Sequence, residues 1–186
     1  MTLPTLSRSV SVALALASLC FTLPAPGQTP AQIALEREGL ELMRQLAEVG
    51  EEVEYHATHL NSYTRNVRIT RWTHGHHLNQ IRDLVNVGLR PALTRLEQIQ
   101  PQLPEWKKRA VDNLLAAARD LSADMELAIL NSNSVTALPP ALNATYKAAI
   151  GRIEQHSVVL IKTASAAIAY AAAHLKAAEA GLAVRP

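Results

Sequence analysis

Cysteine is nearly absent from this chain. Of 186 residues only Cys20 carries a thiol, and it lies close to the N-terminus. A mature protein that has lost that segment can form neither an internal disulfide nor a thiolate metal site. Aromatic residues make up 4%, and Phe21 is the single phenylalanine. Alanine and leucine dominate instead, a composition that suits helices and not sheets. Charged residues are also few, at 18%, with a formal net charge of +2. That charge is too small to argue for nucleic-acid binding through phosphate attraction alone. There is no Gly-x-Ser-x-Gly, no phosphate-binding glycine loop, no His-Glu-x-x-His and no Cys-x-x-Cys-His. The Glu-x-x-His motif of di-iron bundles is missing too. Nothing supplies a nucleophile with its acid and base, so the expectation is a protein without catalytic activity.

The first 27 residues read as a secretory signal peptide. Arg8 gives the positive start, Val10 to Leu23 a short apolar core, and Ala25-Pro26-Gly27 the small residues read at a cleavage site. The apolar run falls short of the roughly 20 residues that a membrane-spanning helix needs. Leu19 is too large to precede a lipidated cysteine. The mature chain is therefore expected to begin at Gln28, near Gly27, and to reside in the periplasm or outside the cell. Losing Arg8 leaves a net charge of +2 − 1 = +1. No later stretch is expected to span a membrane.

Residues 28–186 read as one all-α domain, an antiparallel up-down-up-down four-helix bundle with short loops. Thr29 caps the first helix and Pro30 opens it, and the helix runs to about Asn61. Its inward stripe is Leu35, Gly39, Leu42, Leu46, Val49, Val53, His56 and Leu60, in steps of four and three. Thr73 is one candidate to cap the second helix, which runs to about Gln100 and kinks near Pro91. Pro101-Gln102-Leu103-Pro104 breaks the chain, and Pro104 opens a third helix at its first position, followed by Glu105. Asn131 to Thr136 forms the next turn. Pro139-Pro140 starts a fourth helix that Gly181 ends.

Five of the seven histidines fall between Glu51 and Asp83: His56, His59, His74, His76 and His77. If the chain reverses near Val67, His56 lies opposite His77 and His59 opposite His74. Four imidazoles would then meet at one level. Imidazole suits zinc, copper or nickel, so His56, His59, His74 and His77 are the candidate ligands for one divalent transition-metal ion. Glu52, one turn before His56, would add or orient a ligand. The plainer expectation is that no cofactor is bound. In that case His56 is hydrogen-bonded at the core edge, and His59 and His76 face water.

Arg65, Arg68 and Arg71 recur at helical spacing and, with His76, build a cationic tip. Such a tip suits an acidic envelope protein or the phosphates of an envelope lipid. A remoter possibility is a four-helix cytochrome, because counting through the turns puts Met43 near the level of His156 for non-covalent haem. The alanine-rich end of the fourth helix leaves a homodimer open.

The run His76 to Lys107, HHLNQIRDLVNVGLRPALTRLEQIQPQLPEWK, and the alanine-rich tail resemble a group of small exported bacterial helical-bundle proteins of unknown function. The resemblance implies export and a helical fold. It implies no functional residues. The working expectation is a binding or structural module whose surface is the tip from Tyr55 to Arg82.

Overall fold

A computed structural model of the protein describes residues 29–133 and 138–183, with side chains through Lys176. The expected leader and residues 134–136 of the expected turn Asn131 to Thr136 lie outside the described residues. Helix α1 spans Pro30–Tyr63, α2 Arg71–Asp83, α3 Arg90–Ile99, α4 Glu105–Asn133 and α5 Ala144–Ala183. A π-helical segment, Leu84–Leu89, joins α2 to α3, so these three pieces act as one interrupted helix and the fold has four long helical units. Among the described residues there is no strand.

Local chemistry sets the ends. Thr29 caps α1 by accepting from the Gln32 amide, Gln32 reciprocates on the Thr29 amide at 2.9 Å, and Pro30 follows in the first turn. After Tyr63 comes a polar connection to α2, where the Asn66 side chain accepts from the Arg68 amide at 2.9 Å. Thr70 caps α2, not Thr73, which instead supplies the amide that Thr70 receives.

The interruption expected near Pro91 takes the form of a π turn just ahead of it. The Arg90 amide bonds to the Val85 carbonyl, five residues back. Proline cannot donate to the turn before it and crowds that turn's carbonyl. Slipping one residue into a wider turn absorbs both problems, and Pro91 then sits in the first turn of α3.

Two further boundaries move. Pro140–Leu142 is a 3-10 turn, and α5 begins only after Asn143, whose side chain accepts from the Tyr146 amide at 2.9 Å. At the other end α5 continues through Gly181 to Ala183.

The core is built from one face of each unit, including Met43, Leu46, Val53 and Leu60 of α1, Ile81 and Leu96, Leu114 and Leu121, and Ile150 and Leu160. Along α1 the fully inward rows are Gly39, Leu46, Val53, Leu60 and Met43, Gly50, Ala57, Thr64. Leu42, Val49 and His56 are only half-buried, which corrects the expected stripe. The reason is close approach to α5. A Cβ on Gly50 would lie 2.9 Å from side-chain atoms of Leu160 and Ile161, so only a small residue lets α5 come that near. The row of Leu42, Val49 and His56 turns toward the interrupted helix, where Gly88 accepts Val49 in the same manner.

Polar ties cross the helices. Glu38 of α1 holds Arg95 of α3 in a forked pair at 2.5 and 3.0 Å. Glu154 of α5 accepts from Thr58 at 3.0 Å and Asn61 at 2.7 Å. Lys107 is fully buried, with its Nζ 2.8 Å from a Glu36 carboxylate oxygen.

By length and composition alone, Ala144–Lys176 of α5 is long and apolar enough to cross a bilayer, its most apolar 18-residue window having a mean hydropathy of 1.5. Its Tyr146, Ile150, Ile153 and Leu160 are nonetheless buried in the shared core.

Candidate functional site

His56 reaches its position because its row of α1 faces the interrupted helix. His77 lies on the matching flank of α2. Their Nδ1 atoms are 2.9 Å apart, so one ring donates and the other accepts. Burial, and then the neighbouring imidazoles, hold the His77 pKa down to about 4. Burial lowers that of His56 first, His76 and His59 add to it, and the nearby Glu52 carboxylate opposes them. Both rings are therefore neutral at neutral pH.

Other rings enclose this pair. His59 stacks on His77 with centroids 5.7 Å apart and meets Tyr55 edge-on at 4.5 Å. Tyr63 stands edge-on to both His77 and His74, at 5.4 and 6.1 Å. His76 is exposed beside His77 and carries the Trp72 indole stacked on it.

Contrary to the count outward from the reversal, His74 does not meet His59. It belongs to the row of Leu78, Ile81 and Val85 that enters the core, and it is fully buried. Its Nδ1 is 2.9 Å from the Tyr146 hydroxyl of α5, while its Nε2 has no hydrogen-bond partner. Burial pushes its pKa down and that of Tyr146 up. The imidazole standing at a leucine position is thus His74, and His56 is the hydrogen-bonded ring at the core edge.

The expected meeting of four imidazoles is accordingly reduced to a pair with a stacked neighbour. His59 faces His77 and Tyr63 rather than His74. Among the described residues, no three His, Cys, Asp or Glu side chains already converge as metal ligands do. A stacked ring offers its face, not a lone pair, to the ring beneath it.

Glu48, Glu51, Glu52, Tyr55 and His56 line an open recess of about 470 Å³ along α1. A second, more apolar groove of about 390 Å³ runs between the interrupted helix and α4, over Val85, Leu89, Leu93 and Leu115. Arg65 and Arg68 are exposed on the connection, and Arg71 opens α2.

A site in α4 and α5 escaped sequence reasoning. Asp124, which looks like helix surface in the sequence, is buried against Arg152 at 2.6 Å, with His156 Nε2 at 3.3 Å. The apparent counterpart of Met43 for a haem is therefore turned onto a carboxylate, and Met43 itself is packed in the core. No spacing within α4 signals this, because the partners come from a helix 28 residues away in sequence.

Comparison with known proteins adds no identity: no protein family, no curated protein and no solved structure matches this chain.

Proposed function

We propose that this is an exported, non-catalytic helical-bundle protein of the bacterial envelope, periplasmic or secreted after cleavage near Gly27. Its working surface is the end of the bundle that carries the histidine and arginine tip. The bundle itself is read as antiparallel, up-down-up-down. That reading is supported by contacts that recede evenly from each connection: His56 with His77 and Glu38 with Arg95, then Asp124 with Arg152 and Trp106 with Tyr170.

The observation that carries the function is the distribution of exposed apolar side chains. Trp72 is 79% exposed and Val67 63%, on or beside the α1–α2 connection. Leu138 and Leu142 are exposed at the α4–α5 connection, which the His74–Tyr146 bond and the Asn143–Asn131 contact bring to the same end. Four large apolar side chains exposed at one end suit an interaction surface. With Arg65 and Arg68 among it, an anionic lipid surface is the favoured partner and an acidic envelope protein the other outcome.

The test is co-sedimentation of the mature protein with vesicles containing phosphatidylglycerol or cardiolipin. Binding should be salt-sensitive and lost in Arg65→Glu/Arg68→Glu and in Trp72→Ser. No binding by the wild type, together with photocrosslinks from position 72 that reach no envelope protein in cells, would sink the reading. Export is tested separately by the N-terminal sequence of the mature protein, expected to start at Gln28. A homodimer is the partner proposed for the outward side of α5, where only 22% of the most apolar window is buried. Sedimentation velocity checks it.

A further inference from the structure

We infer that His56 and His77 are the two fixed ligands of a divalent first-row transition-metal site, closed by the Glu52 carboxylate and solvent. The inference rests on the reading of this tip as the working end of the molecule and specifies a ligand class for it.

Geometry is the first argument. The two Nδ1 atoms already face each other at 2.9 Å. Two nitrogens bound tetrahedrally to zinc at about 2.0–2.1 Å lie roughly 3.3 Å apart. An ion held by both lies off the line between them, so binding needs the pair to open by a few tenths of an ångström and each ring to turn its Nδ1 toward the ion. On binding, the donating ring changes tautomer. Its Nδ1 proton leaves to solvent and one returns to Nε2, so both rings ligate as neutral imidazoles with no net loss of protons.

The second argument is the frame. The donors come from two helices whose separation is set beyond the site by Val49 against Gly88 and by Glu38 with Arg95. A fixed spacing between two ligands is what makes a partial site bind.

The third argument is access and charge. Glu52 lies one turn before His56, on the same face of α1, and both line the open recess with Glu48 and Glu51. Carboxylates at its mouth concentrate cations, and Glu52 is the one whose charge acts directly on His56. Nitrogen and carboxylate donors together suit zinc, nickel or copper. His74 takes no part, because its ring is turned into the core onto Tyr146.

The experiment uses the full mature chain with Zn²⁺ as probe, by equilibrium dialysis with elemental analysis, and Co²⁺ as a spectroscopic stand-in. One metal per chain is expected, with visible absorption of Co²⁺ in a four- or five-coordinate site. His56→Ala and His77→Ala should each weaken binding at least tenfold and Glu52→Gln by about tenfold, while His59→Ala stays within twofold. Circular dichroism confirms that each variant folds. Absence of stoichiometric uptake overturns the inference. So does uptake that survives His56→Ala/His77→Ala, or that requires His59 rather than His77. Vesicle binding reads Arg65, Arg68 and Trp72 instead. It stands if the metal site alone is wrong, and both measurements fail if the tip is not a working surface.

Discussion

The Nδ1 of His74 and the hydroxyl of Tyr146 meet at 2.9 Å inside the core, joining α2 to α5 across 72 positions of sequence. The contact is buried on every side, and the opposite nitrogen of the same ring is already unpartnered. Removing the hydroxyl with Tyr146→Phe leaves both ring nitrogens dry. We expect a loss of about 1–3 kcal/mol in unfolding free energy. Replacing both partners, as His74→Leu/Tyr146→Phe, should recover most of that loss, because no polar group is then stranded. Urea titrations of the single and double variants check this.

Acid should loosen this end of the bundle. Unfolded histidines titrate near 6.5, whereas His77 is held to about 4 and His74 and His56 are lowered by burial. Below about pH 6.5 the unfolded chain therefore binds more protons than the folded one, so stability falls with pH. The fall should begin near pH 6.5 and, for His77, level off near 4. Urea midpoints measured between pH 8 and 5 test the direction. In His74→Leu/Tyr146→Phe the decline should be shallower, and an unchanged slope would remove His74 from the explanation.

Helix spacing predicts a steric effect at a distant point. A methyl group on Gly88 would lie 2.9 Å from both methyls of Val49, and a β-branched side chain has little rotamer freedom with which to retreat. Gly88→Ala should cost about 1–3 kcal/mol despite raising helix propensity. Val49→Ala added to it should restore part of the loss, a coupling that a double-mutant cycle measures.

The buried Lys107 and its partner Glu36 should respond unequally to substitution. Glu36→Ala strands an ammonium group that is 2% exposed, leaving it the backbone carbonyl of residue 36 at 3.3 Å and the Trp106 ring at 5.2 Å. A loss of about 3 kcal/mol is expected, toward the lower end for such pairs because Glu36 is 25% exposed. Lys107→Met removes the charge and keeps the volume, and should be near neutral. Thermal denaturation of the two variants distinguishes them.

Much of the fold is legible in the residues, and the candidate site much less so. Thr29 with Pro30, and Pro104 with Glu105, announce helix starts through side-chain chemistry that needs no distant partner. The approach of His56 to His77 also follows from counting outward from one reversal. The pairing of His59 with His74 does not, because His74 follows Leu78 and Ile81 into the core and meets Tyr146 of α5 there. Nor does the inward row of α1, which is decided by α5. Leucine and valine made the row of Leu42, Val49 and His56 look like the interior. The structure puts Gly50 and Ala57 inside instead, since small residues let two helices approach.

Composition and local order in the chain determined that this protein is helical, where most of its helices begin, and that its imidazoles gather at one end. Tertiary structure alone decided which of them is interior, which are paired, and that Asp124 and Lys107 are buried with partners. The division has a physical cause. Helix periodicity and caps act over a few residues, whereas burial, pKa and ligand geometry depend on whichever side chain arrives from another helix. No spacing within one helix contains that information.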